Sequence, residues 1–268
     1  MPDQIREFHR APTVAHAVEL LQRSNPTAAP LVVGPRLPDA PFAGVEALVD
    51  LRDLALDYLR VDEDRLCIGA HTPLQALVDS PVVQALAGGI VSQAAKLAAH
   101  FGLRNLATLA GALDGIADGP PELMLALLAL DARATVQGGA PQQLPLRSYN
   151  PTSSALLVEV SVALTPASAA SLARVARTPL DQAIVAAVGV VAGQVVRVAV
   201  AGASPRPLLV QTTIDAAPAA LCTRLADEAV RLADPAGDYR GSVEYRRAMT
   251  GVLAQRALEN AFKQGANA

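Results

Sequence analysis

Aromatic residues are scarce in this sequence, which has no tryptophan, four phenylalanines and four tyrosines among 268 residues. Hydrophobic residues nevertheless make up 51% of the chain, so its core has to be built from alanine, valine and leucine. Such small side chains let helices and strands approach closely, which favours helices packed against sheets. The length is sufficient for two or three small domains with a core each.

Cysteine and net charge are also low. Cys67 and Cys222 stand far apart, without a CxxC pattern or a histidine partner, so a structural metal, an iron–sulfur cluster and a disulfide scaffold are all unsupported. The net charge is −3 with both signs scattered, which leaves no electrostatic footprint for nucleic acid or an anionic membrane. We therefore expect no nucleic-acid partner.

Long hydrophobic runs are missing as well. The longest, residues 123–130 and 184–193, are too short to span a bilayer, and residues 1–10 lack the apolar segment of a signal peptide. We therefore expect no membrane span and a cytoplasmic location. The sequence has no nucleophile elbow, HExxH or P-loop lysine motif, so a hydrolase or an NTPase is not supported.

The first 55 residues carry a strand–helix–strand pattern. Residues 5–8, 30–34 and 47–51 are predicted strands, and Thr13 is placed to cap the helix that follows it. Short connections of this kind favour a small βαβ unit with a parallel sheet.

Residues 56–164 have a mixed α+β pattern. An acidic turn at residues 62–64 predicts a hairpin, and prolines at the starts of helical patterns predict several helices. The predicted strands are 59–61, 65–69, 132–137 and 156–162; the predicted helices follow Pro73, span 81–101, and begin at Pro120 and Pro121.

Residues 165–268 are predicted to form a third unit. The small polar stretch 165–171 is typical of a linker. Valine-rich runs at 184–192 and 194–201 meet at Gly193, which predicts a hairpin, and two helices are predicted to close the chain.

Several segments, in this order, resemble one known family. They are residues 8–12 (FHRAP), 68–77 (IGAHTPLQAL), 103–132 with TLAGA at 108–112 and LLALDA at its end, 201–207 (AGASPRP) and 239–247 (YRGSVEYRR). Together they are similar to the FAD-binding subunit or domain of molybdenum hydroxylases, the group of carbon monoxide dehydrogenase and xanthine dehydrogenase. The resemblance covers the chain from end to end.

The resemblance implies an α+β fold in three parts. They are an N-terminal βαβ lobe (1–55), a middle α+β lobe of the FAD-binding type (56–164), and a C-terminal domain (165–268) with a three-stranded antiparallel sheet and helices. It also implies an electron-transferring oxidoreductase subunit. FAD would lie between the first two lobes and take electrons from a 2Fe–2S small subunit, while a large subunit holds the molybdenum cofactor. No side chain need act as acid or base, and a homodimer is left open.

Two loops carry the implied cofactor site. A diphosphate is held by converging backbone N–H groups, and glycine lets the backbone approach it closely. The first loop corresponds to residues 33–37 (VGPRL) and the second to 108–112. The implied cofactor-binding residues are Val32, Val33, Gly34, Pro35, Arg36, Thr72, Thr108, Leu109, Ala110, Gly111, Ala112 and Asp118.

Both loops depart from the family pattern, which leaves alternatives open. Pro35 has no N–H to donate, and Ala110 and Ala112 stand where the family has glycine and asparagine. A second hypothesis is therefore a flavin-free relative that acts as a structural or assembly subunit. A third is a different ligand in the same cleft, with Arg36 meeting an anion. Taken alone, residues 108–112 would read as a helix connection.

Overall fold

The computed structural model describes residues 5–32, 44–114, 121–151, 155–164, 169–178 and 181–266. Within these residues the chain forms three sheets with helices packed on them, which confirms the α+β class.

The N-terminal lobe contains the predicted βαβ unit. Its elements are β1 (Glu7–Arg10), α1 (Val14–Leu21), β2 (Ala28–Leu31) and β3 (Ala47–Asp50). Both outer strands pair in parallel with β3, in the order β1-β3-β2. The Thr13 hydroxyl accepts the N–H of His16 at 3.2 Å, so the predicted cap of α1 is confirmed.

The middle lobe combines a five-stranded antiparallel sheet, in the order β4-β5-β8-β6-β7, with a group of short helices. The predicted hairpin at the acidic turn is confirmed as β4 and β5. The elements are β4 (Leu59–Asp62), β5 (Arg65–Gly69), α2 (Leu74–Asp79), α3 (Pro81–Ala85), α4 (Ile90–Ala98), α5 (Phe101–Arg104), α6 (Leu109–Asp114), α7 (Pro121–Ala129), β6 (Arg133–Gln137), β7 (Pro141–Pro145) and β8 (Leu156–Ala163).

The single helix predicted over residues 81–101 is wrong. The chain breaks between α3 and α4, where Ala87, Gly88 and Gly89 have φ of 46°, 67° and 77°. Positive φ ends a right-handed helix, and the two glycines adopt positive φ with little conformational strain. The apolar stripe is correspondingly incomplete, since the side chains of Val82 and Leu97 are each 38% exposed.

The C-terminal domain has four antiparallel strands, one more than the resemblance implied, in the order β12-β11-β10-β9. The predicted hairpin is confirmed as β10 and β11. The extra strand is β9, whose first residues were predicted as linker; its alanine- and serine-rich sequence carries little strand propensity, and pairing with β10 decides its conformation. The elements are β9 (Ala169–Val175), β10 (Val185–Ala192), β11 (Val195–Ala201), β12 (Leu208–Thr213), α8 (Pro218–Leu232) and α9 (Val243–Ala266).

The three parts are joined by one buried apolar core. It runs from the N-terminal lobe through the middle lobe to one face of the C-terminal sheet, and a second core lies between that sheet and the last two helices. On this second side α9 packs closely on β10 at Gly189, where a Cβ would lie 2.8 Å from the backbone of Ala257. Small residues therefore set the helix–sheet distance, as the composition suggested.

Candidate functional site

The second loop begins α6. Thr108 forms a β-bridge with Pro73, and the N–H of Leu74 donates to the carbonyl of Ala107 at 2.9 Å. These bonds hold the start of α6 against the segment that follows β5. The resemblance implied that Thr72 and residues 108–112 belong to one site, and the structure brings them together.

The backbone N–H groups of this loop are used inside the chain. The N–H of Leu109 donates to Thr72 at 3.0 Å, and that of Ala110 donates to the carbonyl of Ala70 at 2.8 Å. The N–H of Gly111 donates to the Thr108 hydroxyl at 3.2 Å, and that of Ala112 to the Thr108 carbonyl at 3.0 Å. The loop is thus a closed helix start, and none of these four donors is left pointing at a ligand.

Thr72 has a structural contact of its own. Its hydroxyl donates to the carbonyl of Tyr58 at 2.8 Å and accepts the N–H of Tyr58 at 3.2 Å, and the residue is buried. The hydroxyl therefore joins the segment after β5 to the segment before β4. Next to it, burial lowers the pKa of His71, while the carboxylates of Asp57 and Asp50 oppose that shift.

The first loop, residues 33–37, lies outside the described residues. Val32, the predicted site residue before it, follows β2 at the carboxyl end of the parallel strands. Asp118 also lies outside them. At the same end of the sheet, the buried Asp50 is bound by Arg52 at 2.7 Å. The hydrogen bond from the Arg52 side chain lowers the pKa of this carboxyl despite its burial.

A cavity of about 140 Å³ adjoins the second loop. One wall comes from Ala112 and from the start of α7, with Pro121 and Met124. The opposite wall comes from the C-terminal domain, at residues 182–184 and at the turn after β11. Of the predicted site residues that are described, Ala112 is the one that lines this cavity.

The charged residues of the cavity are Arg240 and Arg246, and Asp238 binds both. Arg246 reaches Asp238 at 2.8 Å and Arg240 reaches it at 3.0 Å. Burial opposes ionisation of Asp238, but these guanidinium groups outweigh it and hold the pKa of the carboxyl well below its usual range. Arg246 also donates to the carbonyl of Ile184 at 2.6 Å, so this cluster fixes part of the wall.

A buried ion pair lies behind the cavity. Glu122, in the first turn of α7, pairs with Arg174 on β9 at 2.9 Å. Neither residue could be recognised from the sequence, because a lone glutamate and a lone arginine in unrelated segments form no pattern. Arg246, in contrast, stands within the YRGSVEYRR segment that carried the resemblance, and its role in the wall could have been suspected there.

Residues 109–112 do not by themselves supply a diphosphate site. A diphosphate needs free N–H donors, and those of residues 109–112 are occupied. A ligand-sized pocket usually measures about 300–1,000 Å³, and this cavity is smaller.

Among the described residues there is no group of three or more His, Cys, Asp or Glu side chains that could hold a metal ion. No helix in that part of the chain is long and apolar enough to cross a membrane.

Known proteins similar to this chain match it along nearly its whole length. The carbon monoxide dehydrogenase medium chain of Hydrogenophaga pseudoflava is 28% identical over an alignment of 286 positions, which covers 96% of each chain. The uncharacterized protein YgfM of Escherichia coli (strain K12) is 28% identical over 252 residues, or 93% of each.

The fold is similarly matched by solved structures. In the carbon monoxide dehydrogenase of Hydrogenophaga pseudoflava that lacks the Mo-pyranopterin moiety of its cofactor, one chain superimposes with a TM-score of 0.83 at 26% identity, over 96% of this chain and 97% of that one. A chain of quinoline 2-oxidoreductase from Pseudomonas putida 86 has a TM-score of 0.81 at 21% identity, over 97% and 98%, and supports the fold.

A family model places the chain more directly. The model for the FAD binding domain in molybdopterin dehydrogenase matches residues 4–162, which span the N-terminal and middle lobes. This range includes both loops and the segment between them. The chain therefore belongs to the family of FAD-binding domains of molybdopterin dehydrogenases.

Proposed function

We propose that the protein is the medium-type, electron-transferring subunit of a molybdenum hydroxylase-like complex, with FAD as its cofactor. The observation that carries this proposal is the end-to-end match to the medium chain of a carbon monoxide dehydrogenase, which extends through the C-terminal domain. The partners would be a large subunit with the molybdenum cofactor and a 2Fe–2S small subunit. FAD, when bound, would accept electrons from the iron–sulfur clusters and pass them to an acceptor.

The chain itself would contribute binding and orientation in this role. Since the N–H groups of residues 109–112 are occupied, the diphosphate would have to be held by donors elsewhere, including the first loop. FAD binding is therefore expected to be weaker than the family fold alone would suggest.

A second candidate function is a flavin-free structural subunit of such a complex. The occupied N–H groups of the second loop favour it, together with Pro35 in the first. This candidate shares the partner subunits with the first proposal and lacks its cofactor.

Flavin binding can be tested directly on the purified full-length protein. We expect that incubation with FAD, followed by removal of free ligand, leaves a yellow protein with about one flavin per chain. The melting temperature should also rise in the presence of FAD, because a ligand that binds only the native state stabilises it by RT ln(1 + [L]/Kd). Riboflavin and ADP, each added alone, serve as matched controls for the two halves of the cofactor.

The outcome separates the two candidates. A colourless protein whose melting temperature does not change at millimolar FAD would remove the flavoprotein role. Co-expression with candidate molybdenum and 2Fe–2S subunits then tests the complex by size-exclusion chromatography. A flavin-free assembly would favour the structural subunit, and a protein that forms no assembly would contradict both candidates.

A further inference from the structure

The Glu122–Arg174 ion pair connects the middle lobe to the C-terminal sheet. Its side chains are 2% and 18% exposed, so the pair is almost entirely shielded from water. Glu122 also lies in the first turn of α7, where the helix dipole favours a negative charge. The pair is thus a built contact between two parts of the fold.

Arg174 binds a residue next to each wall of the cavity. Glu122 lies between Pro121 and Met124, which line the wall on α7. Arg174 also donates to the carbonyl of Asp181, directly before the opposite wall at residues 182–184. One guanidinium group therefore ties α7 to the segment that faces it.

The environment of the pair makes it sensitive to substitution. Inside a protein, the attraction between two charges roughly offsets the cost of taking them out of water, but removing one partner leaves the other charge buried and unpaired. The Asp131–Arg197 pair joins the same two parts of the fold at 3.4 Å, but Asp131 is 54% exposed. An exposed pair of this kind contributes little to stability.

We propose that the Glu122–Arg174 pair is a latch that holds the two walls of the cavity together. While the pair is intact the cavity stays near 140 Å³. When it separates, Arg174 no longer ties α7 to the segment at residues 181–184, and the cavity between them widens. The latch goes beyond the proposed function, since it concerns the closure of the cavity whether or not the protein binds flavin.

Hydrogen–deuterium exchange of the full-length protein, without added ligand, tests the latch. Glu122→Gln removes the charge and keeps the shape of the side chain. We expect amide exchange at residues 181–186 to become at least tenfold faster, while exchange in α9 changes less than twofold. Asp131→Asn, the matched control at the exposed pair, should change exchange at residues 181–186 less than twofold. Equal protection in Glu122→Gln and the wild type would overturn the latch, and so would an equal effect of both variants.

Arg174→Lys is a second test that does not depend on the folding of Glu122→Gln. Lysine keeps the positive charge but lacks the forked donors that reach both Glu122 and the carbonyl of Asp181. A latch predicts faster exchange at residues 181–186 in this variant, with a melting temperature close to that of the wild type. Wild-type protection at residues 181–186 would show that charge alone matters and would overturn the proposal.

Discussion

The second loop and the cavity beside it lie within one site, but they are built in opposite ways. The loop has a sequence pattern with a glycine and a threonine, and the N–H groups of residues 109–112 all donate to acceptors within the chain. The cavity is formed by residues from distant segments, among them Pro121, Gly202 and Arg240. The comparison teaches that a loop with a family pattern can use its N–H groups within the chain, while a cavity can be enclosed by residues from several segments far apart in the sequence.

Gly202→Ala should lower the free energy of unfolding more than any other variant proposed here, because it adds a side chain in the tightly packed cavity wall. Gly202 has φ of 80°, and a Cβ there would lie 2.1 Å from the carbonyl oxygen of Ile184. We expect a loss of about 2–5 kcal/mol in the free energy of unfolding, measured with urea, from left-handed strain and overpacking together. Gly193→Ala is the matched control, since φ there is 56° but nothing lies within 4 Å of the new Cβ. Equal losses in both variants would show that the wall is not tightly packed.

Asp238→Asn tests the charged cluster of the cavity. It removes the carboxylate that binds Arg246, which is only 7% exposed, and should cost about 1.5–3 kcal/mol at pH 7. Because the pKa of Asp238 is lowered in the folded state, its stabilisation is present above the unfolded pKa of about 4 and is lost as the pH falls toward the folded value. The difference between variant and wild type should therefore shrink in unfolding measured below pH 4. A constant difference from pH 3 to pH 7 would contradict this role.

Thr108→Val tests the loop. The hydroxyl that accepts the N–H of Gly111 is lost, and we expect a cost of about 0.5–2 kcal/mol, as for other removed helix caps. Thr108→Ser retains the acceptor and should stay closer to the wild type in the same unfolding experiment. If valine is tolerated as well as serine, the hydroxyl does not cap α6.

Ala110→Gly should have the smallest effect on stability, about 0.5–1 kcal/mol, from the flexibility of glycine in a helix. It restores the glycine of the family pattern without freeing the N–H, which still donates to the carbonyl of Ala70. We therefore expect any FAD affinity, measured by fluorescence titration, to change less than threefold. A tenfold tighter complex would show that the loop does grip the diphosphate.

Much of the fold could be predicted where local pattern and final packing agree. The hairpin of β10 and β11 follows from two valine-rich runs that meet at Gly193, and the βαβ unit follows from capped and periodic segments. Prediction failed where tertiary contacts decide the conformation of a segment. Residues 169–171 looked like linker and became part of β9, because β10 offers them a pairing edge. The pattern of residues 81–101 suggested one helix, which the left-handed residues 87–89 interrupt.

The residues of the site were likewise predicted only in part. Thr72 and residues 108–112 do lie together, but their hydrogen-bonding groups face the chain itself. Glu122 and Arg174 could not be paired from the sequence, because 51 positions separate them and neither belongs to a recognisable pattern. Their distance depends on how the C-terminal sheet sits on α7.

The sequence by itself determined the family, the α+β class and the small-residue core, because these depend on composition, on local propensity and on the order of short motifs. The tertiary structure alone decided which hydrogen-bonding groups are satisfied within the chain and which residues enclose a cavity. The physical reason is that satisfaction of an N–H group and burial of a charge depend on neighbours distant in the chain. Here the carbonyls of Ala70 and Thr72 accept the N–H groups of the loop, and Arg174 on β9 pairs with the buried Glu122 on α7.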